Sequence, residues 1–431
     1  MSEISRRDFM IGCSAGIIAM GGGRVSGLAF LTPEAASERD LIVNVFLRGG
    51  MDCLNFIVPY NDPNYVTARP AIKLLPPGAG AGSVFDLNGF FGIHPSAAAL
   101  RDLYQVGRVA VIHACGSPDP TRSHFDAMDY MERGVPGDKT VTTGWLTRHL
   151  ASLAPGPIMQ AVASGGSIPK SLQGHTGAIA MSSASSFRLT PGSSSYGTQQ
   201  RTALRALYTG AGMIHDAGRT TLDTVDLIES KNPGTYVPEF GAVYPNSSFG
   251  NALKTVAQLA KMDLGLHIAT VDLGGWDTHE YQGSSGAGVF GTQVTDLSNG
   301  LGAFYTDMLN YVRRMTIIVQ TEFGRRLKEN GSDGTDHGHG GLMMVIHGGL
   351  LKGGRVHGTW PGLATDQLDN RVDLAITADY RAVLSEVLTQ RMGNTDVAGV
   401  FPGFSGTPIS LFVDPATLTN KVYLPTVLRN Q

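Results

Sequence analysis

Leu41-Ile42-Val43-Asn44-Val45-Phe46-Leu47, followed at once by Arg48-Gly49-Gly50-Met51-Asp52, sets the reading of this chain. The first seven residues are almost continuously apolar and rich in β-branched side chains, with no apolar/polar alternation. Such a run suits a strand covered on both faces, as strands of a parallel sheet are. Four more runs of this kind follow, at Arg108–Ala114, Leu266–Leu273, Met315–Gln320 and Leu342–His347. Helical patterns lie between them, at Pro95–Tyr104, Asn251–Lys261, Val294–Arg313 and Tyr380–Arg391. Strands alternating with helices give an α/β sandwich with a mostly parallel central sheet. Residues 156–200 break the pattern. They are Ser/Gly-rich, with serine clusters at Ser182–Ser186 and Ser193–Ser195, and are expected to form a small irregular insertion or cap. Within them, Ala178–Met181 and Phe187–Leu189 have the composition of short strands.

In an open parallel sheet, ligands bind in the crevice beyond the carboxyl ends of the strands. The residues next to the runs therefore matter most. The first run leads into Asp52, and the second into Gly116-Ser117-Pro118-Asp119-Pro120-Thr121-Arg122-Ser123-His124-Phe125-Asp126. The third leads into Gly274-Gly275-Trp276-Asp277-Thr278-His279, and the fourth into Thr321-Glu322-Phe323-Gly324-Arg325-Arg326. Gly334-Thr335-Asp336-His337-Gly338-His339-Gly340-Gly341 precedes the fifth. Acids and histidines gather there, mostly beside glycine. Carboxylate oxygen and imidazole nitrogen suit zinc, manganese or iron. Carboxylates crowded without a cation repel one another. The candidate metal ligands are Asp52, Asp277, His279, Glu322, Asp336, His337 and His339, with zinc or manganese the expected divalent ion. Ser123-His124-Phe125-Asp126 reads as a helix N-cap with an acid three residues on. A helix start favours anions, so Ser123 is also a candidate nucleophile. Arg122 or Arg48 is a candidate holder of an anionic group.

Composition narrows the function classes. The 431 residues are 42% hydrophobic and 16% charged, enough apolar content for a core and too little charge for a disordered chain. A net charge of −3 gives no basic balance that points to nucleic acid. Glycine is in excess, 56 residues against roughly 7% in average proteins, and it lies in loop-like clusters. Ser5-Arg6-Arg7-Asp8-Phe9-Met10 before the uncharged run Ile11 to Gly23 reads as a twin-arginine export signal over residues 1–36. The expected partner during export is the twin-arginine translocase, and the expected location is periplasmic or extracellular. No later segment is apolar and long enough to span a bilayer. Beyond the signal only Cys53 and Cys115 remain, compatible with one disulfide or two thiols.

Several familiar signatures fail on context. Gly286-Ala287-Gly288-Val289-Phe290-Gly291 lies more than ten residues past its strand, not in the tight turn that dinucleotide binding needs. The G-x-S-x-G at Gly12–Gly16 falls inside the export signal, so the remainder has no nucleophile elbow. Pro118 stands where a formylglycine sulfatase needs cysteine or serine.

Phe46-Leu47-Arg48-Gly49-Gly50-Met51-Asp52, Ser123-His124-Phe125-Asp126, Gly144-Trp145-Leu146-Thr147-Arg148, Gly275-Trp276-Asp277-Thr278-His279, Thr321-Glu322-Phe323-Gly324-Arg325 and Asp336-His337-Gly338 together resemble the DUF1501 family of twin-arginine-exported bacterial proteins. That family is similar to the alkaline phosphatase/sulfatase superfamily. The resemblance implies an alkaline-phosphatase-like three-layer α/β/α domain over residues 37–431, with metal at the strand ends and a serine nucleophile at a helix start. Asp52 would be the first acid and Ser123 the nucleophile. Asp277 and His279 would fill an Asp…His slot, and His337 or His339 would supply the last histidine. Glu322 stands where an Asp-His pair is expected, with Phe323 in place of the histidine. The implied activity is hydrolysis of a small phosphate- or sulfate-type ester. The alternative is an exported binding or assembly protein on the same scaffold with a degenerate metal site.

Overall fold

The computed structural model describes residues 40–153, 159–189, 197–234, 236–284 and 287–413. The expected export signal, its cleavage site, the serines Ser193–Ser195 and the C-terminal tail lie outside these residues. All the elements that follow belong to one compact unit, Ala36–Phe412.

The strands are β1 (Leu41–Leu47), β2 (Ile57–Val58), β3 (Phe85–Asp86), β4 (Gly92–Ile93), β5 (Val109–Gly116), β6 (Ala161–Ser164), β7 (Ala178–Met181), β8 (Ile268–Leu273), β9 (Met315–Thr321), β10 (Gly341–His347), β11 (Arg355–His357) and β12 (Ala378–Asp379). The main sheet runs β11-β5-β10-β9-β1-β8-β6-β7, with β12 added beside β5. β2, β4 and β3 form a small antiparallel sheet. β1 sits at the centre, parallel to β8 on one side and β9 on the other.

The reason is visible in β1, all seven of whose residues are buried. Val43, Val45 and Leu47 face one core with Leu100, Leu253, Val256, Leu297, Leu301 and Phe304. These come from helices Ala98–Gln105, Ser248–Lys261 and Gly288–Asp307. Ile42 and Phe46 face the other core with Trp145, Leu146, Tyr380, Val383 and Val387, from helices Trp145–Ala151 and Tyr380–Arg391. A strand buried on both faces between helices gives an α/β fold with a mostly parallel central sheet. Each fully buried aliphatic or aromatic side chain contributes roughly 1.5–3 kcal/mol, which is why the apolar runs decide the fold. Asn44 is the exception in the run, and its side-chain oxygen accepts from Gln320 Nε2 at 2.8 Å on the adjacent β9.

Two points differ from expectation. β10 runs antiparallel to both β9 and β5, so the sheet is mixed. A buried apolar run carries no directional information, because both ladder types want the same side chains when both faces are covered. The consequence helps the site: the residues before β10 meet the carboxyl ends of β5 and β9. Second, the Ser/Gly-rich stretch contains structure of the main sheet. β6 and β7 lie within it, pair parallel and extend the edge beyond β8, whereas Phe187–Leu189 forms no strand. Cys53 and Cys115 are free and buried, and burial pushes both thiols well above the usual range.

Candidate metal centre

β1 leaves the sheet through Gly49 and Gly50, at φ +123° and +61°. A Cβ on Gly49 would sit 2.6 Å from the Asp277 nitrogen, and one on Gly50 would sit 2.4 Å from the Phe323 ring. Only glycine lets this backbone press against both neighbouring loops. Gly49 N–H donates to Glu322 Oε1 at 2.8 Å. The Gly50 carbonyl accepts from Arg325 Nε at 2.5 Å, and the Gly49 carbonyl also accepts from that guanidinium. The β1 exit thus fixes an acid and a base from the β9 exit.

Helix His124–Arg133 starts beyond β5, capped by Ser123, whose Oγ accepts from Asp126 N–H at 3.4 Å. It ends on Gly134 in a left-handed conformation. Its first residue, His124, points its ring at the loops after β8 and before β10. His124 Nε2 lies 2.9 Å from His337 Nε2 and 3.3 Å from Asp277 Oδ1. His279 Nε2 lies 2.9 Å from His337 Nε2 and 3.0 Å from Asp277 Oδ1. His337 Nε2 and Asp277 Oδ1 are 3.2 Å apart.

The outer nitrogens explain the inner ones. His124 Nδ1 is 2.7 Å from Glu322 Oε1, His337 Nδ1 is 2.8 Å from the Arg122 carbonyl, and His279 Nδ1 is 3.3 Å from Asp336 Oδ1. Each Nδ1 has an oxygen acceptor and therefore carries the ring hydrogen. Each Nε2 then presents a lone pair inward, toward another lone pair and a carboxylate oxygen. Such a set repels itself unless a cation or proton lies between the donors. Tetrahedral zinc with bonds of about 2.0–2.1 Å places its donors roughly 3.3 Å apart, close to the separations here. His124, Asp277 and His337 form a group able to hold a metal ion, and outward carboxylate or carbonyl partners are what metal-bound histidines carry.

Electrostatics agree with a cation-seeking centre. Burial pushes the Asp277 carboxyl up, but the Arg325 bond (2.6 Å) and its charge hold it down to about 2. Burial works against the charged form of His124, yet the bond to Glu322 and its charge outweigh that and raise the ring above its usual value. Burial lowers His337.

The remaining expected ligands stand apart. Asp52 is fully buried, and its Oδ2 accepts from Arg69 at 2.5 Å and Gln282 Nε2 at 2.6 Å. Its charge is neutralised within the fold, because a buried carboxylate without a partner is costly. Glu322 and Asp336 orient histidines from behind. His339 places Nδ1 2.6 Å from Asp369 Oδ2 and Nε2 3.1 Å from the Ser117 carbonyl, so neither nitrogen faces the cluster. Arg122 Nε donates to buried Asp373 at 3.0 Å, and Arg48 bridges Glu132 (2.9 Å) and Asp272 (2.7 Å). In the sequence His124 reads only as part of the cap at Ser123. The available signal was its position, the first helical residue after a strand's carboxyl end.

The family described as "Protein of unknown function (DUF1501)" matches residues 39–399. The chain belongs to the DUF1501 family. No curated protein matches this DUF1501 chain by sequence. Among solved structures it is similar to Ps i-CgsB in complex with k-i-k-neocarrahexaose, at 9% identity and a TM-score of 0.37 over 85% of this chain and 74% of that one. It is similar to Ps i-CgsB alone at 11% identity and 0.35, with the same coverage. It is also similar to alkaline phosphatase from the Antarctic bacterium TAB5, at 9% identity and 0.29 over 72% of this chain and 92% of that one.

Proposed function

We propose that this DUF1501 protein is an exported hydrolase of a phosphate- or sulfate-type ester that uses one divalent metal, zinc or manganese. His124, His337 and Asp277 hold the metal, with His279 beside them. The observation that supports this reading is the convergence of three inward Nε2 lone pairs on one carboxylate oxygen, each ring held from behind. When bound, a divalent ion supplies Lewis-acid polarisation of an ester oxygen. Ser123, at the helix start next to His124, is the proposed nucleophile, attacking phosphorus or sulfur as the bond to the ester's alcohol breaks and the serine proton passes to that alcohol; water then releases the acid and restores the serine. Arg122 is its nearest cationic neighbour in sequence, and its Nε and Nη2 donate to Asp373. Export rests on the paired arginines Arg6-Arg7. Among the described residues, no helix is long and apolar enough to cross a membrane.

A second reading has its own observation. Arg69 neutralises Asp52, Arg325 holds Asp277 and Asp373 holds Arg122, so the charges that a two-metal reaction uses are spent within the fold. That favours a metal-holding binding or assembly protein. Protein purified after export is assayed for metal and for hydrolysis of aryl phosphate and aryl sulfate esters. The hydrolase reading expects about one metal per chain, lost in His337→Ala, and turnover abolished in Ser123→Asn with metal retained. Bound metal without turnover selects the second reading. A metal-free protein that a chelator leaves equally stable removes both.

A further inference from the structure

A groove of about 820 Å³, lined by polar and apolar surface in nearly equal parts, opens along the carboxyl ends of β6, β7 and β8. One wall is helix Ser248–Lys261, which buries Phe249, Leu253 and Val256 and turns Asn251, Lys254 and Gln258 into the groove. These three are spaced i, i+3, i+7, so they line one helix face over about 10 Å. No side-chain hydrogen bond or ion pair among the described residues engages any of them. The floor is Gly165 and Gly166 after β6, where an added Cβ would meet nothing within 4 Å, and Ser182 and Ser183 after β7 supply the far rim.

The groove is preformed. Ser164 Oγ donates to the Ala252 carbonyl at 3.0 Å, and Thr255 Oγ1 donates to the Ser182 carbonyl at 3.1 Å. These bonds pin the helix to the strand ends on both sides. The one acid on the lining, Asp272, is already paired with Arg48. The lining therefore offers many neutral hydroxyl and amide groups, one uncommitted ammonium and a bare glycine floor. Extended peptides bind through backbone ladders and apolar side-chain pockets, and the apolar side chains on this lining are only Ala163, Ala252, Pro169 and the Tyr236 ring. A ligand with hydroxyl groups along its whole length matches the row of uncommitted donors and acceptors.

We infer that this groove binds an extended neutral oligosaccharide, held by Asn251, Lys254 and Gln258 above the Gly165-Gly166 floor. No lining residue belongs to the histidine cluster, and binding here does not depend on a metal there. The test is calorimetric titration of the purified protein with cellohexaose, maltohexaose and chitohexaose, and with a Ser-Gly hexapeptide. At least one hexaose is expected to saturate with a Kd below about 1 mM. Gly166→Trp fills the groove from a position with free space around its Cβ, and Asn251→Ala/Gln258→Ala removes the donors; each is expected to weaken binding at least about tenfold. Chelator is expected to leave the affinity unchanged, which separates this result from the fate of the metal reading. Saturation by none of the hexaoses overturns the inference. So does binding of the peptide alone, full affinity in both variants, or loss of binding on chelation.

Discussion

Glu322 follows directly after β9 with its side chain fully buried, and one of its oxygens serves both the Gly49 amide and the His124 ring. It sets which nitrogen of His124 carries hydrogen and therefore which one faces the cluster. Glu322→Gln keeps the size and removes the charge. Partners of this kind typically change metal affinity 10–100-fold, so zinc affinity measured by chelator competition is expected to fall by about that much, with the fold intact. Unchanged affinity would mean that His124 is oriented by something else. Asp52 gives the opposite expectation. Its partner Arg69 is as buried as it is and also caps the Leu327 and Arg326 carbonyls. Removing one member of a buried pair costs roughly 3–5 kcal/mol. Arg69→Ala is expected to lower the urea midpoint strongly, while the folded fraction still binds metal.

At the scale of elements, Ser123 holds two roles that one substitution confuses. As the cap of helix His124–Arg133 its loss costs about 1 kcal/mol, and a frayed first turn also displaces His124. Ser123→Asn keeps an N-cap and has no hydroxyl. It is expected to retain stability and metal while losing ester turnover, whereas Ser123→Ala loses stability as well. Turnover preserved in Ser123→Asn removes serine as the nucleophile. This element also shows what could be read beforehand. The five apolar runs, the cap at Ser123 and the glycine exits followed from residue type and spacing, because burial on both faces and positive φ each demand few residues. The direction of β10 did not follow, since its side chains serve either ladder. Asp52 follows a strand end, where a ligand is expected, and the guanidinium that neutralises it lies 17 positions on, so only folding brings the two together. His339 and His337 are indistinguishable by spacing, and the neighbouring Asp369 and Arg122 carbonyl decide which one faces inward.

Apart from the cluster of His124, His279 and His337, four histidines are buried where the neutral ring is favoured. Burial pushes His94 and His113 down to about 4, and His149 and His347 down to about 3. In the unfolded chain each ring takes up a proton near pH 6.5. Above that pH both states are neutral and these groups add no pH dependence. As pH falls from about 6.5 toward 4, the unfolded state binds protons that the native state refuses, so stability drops. Over the window from pH 6.5 to 4 each such site is worth roughly 3 kcal/mol at most, and four of them together are large against a typical total of about 5–15 kcal/mol. Urea unfolding from pH 8 to pH 4, with chelator present to take the metal centre out of the comparison, is expected to show a steep fall beginning below pH 6.5. His113→Asn, at a ring that stacks on Phe91 and meets the Ile57 carbonyl at 3.0 Å, is expected to be less stable at pH 8 and to show a shallower slope between pH 6.5 and 4. A flat profile across that window would mean that these rings are protonated in the folded protein.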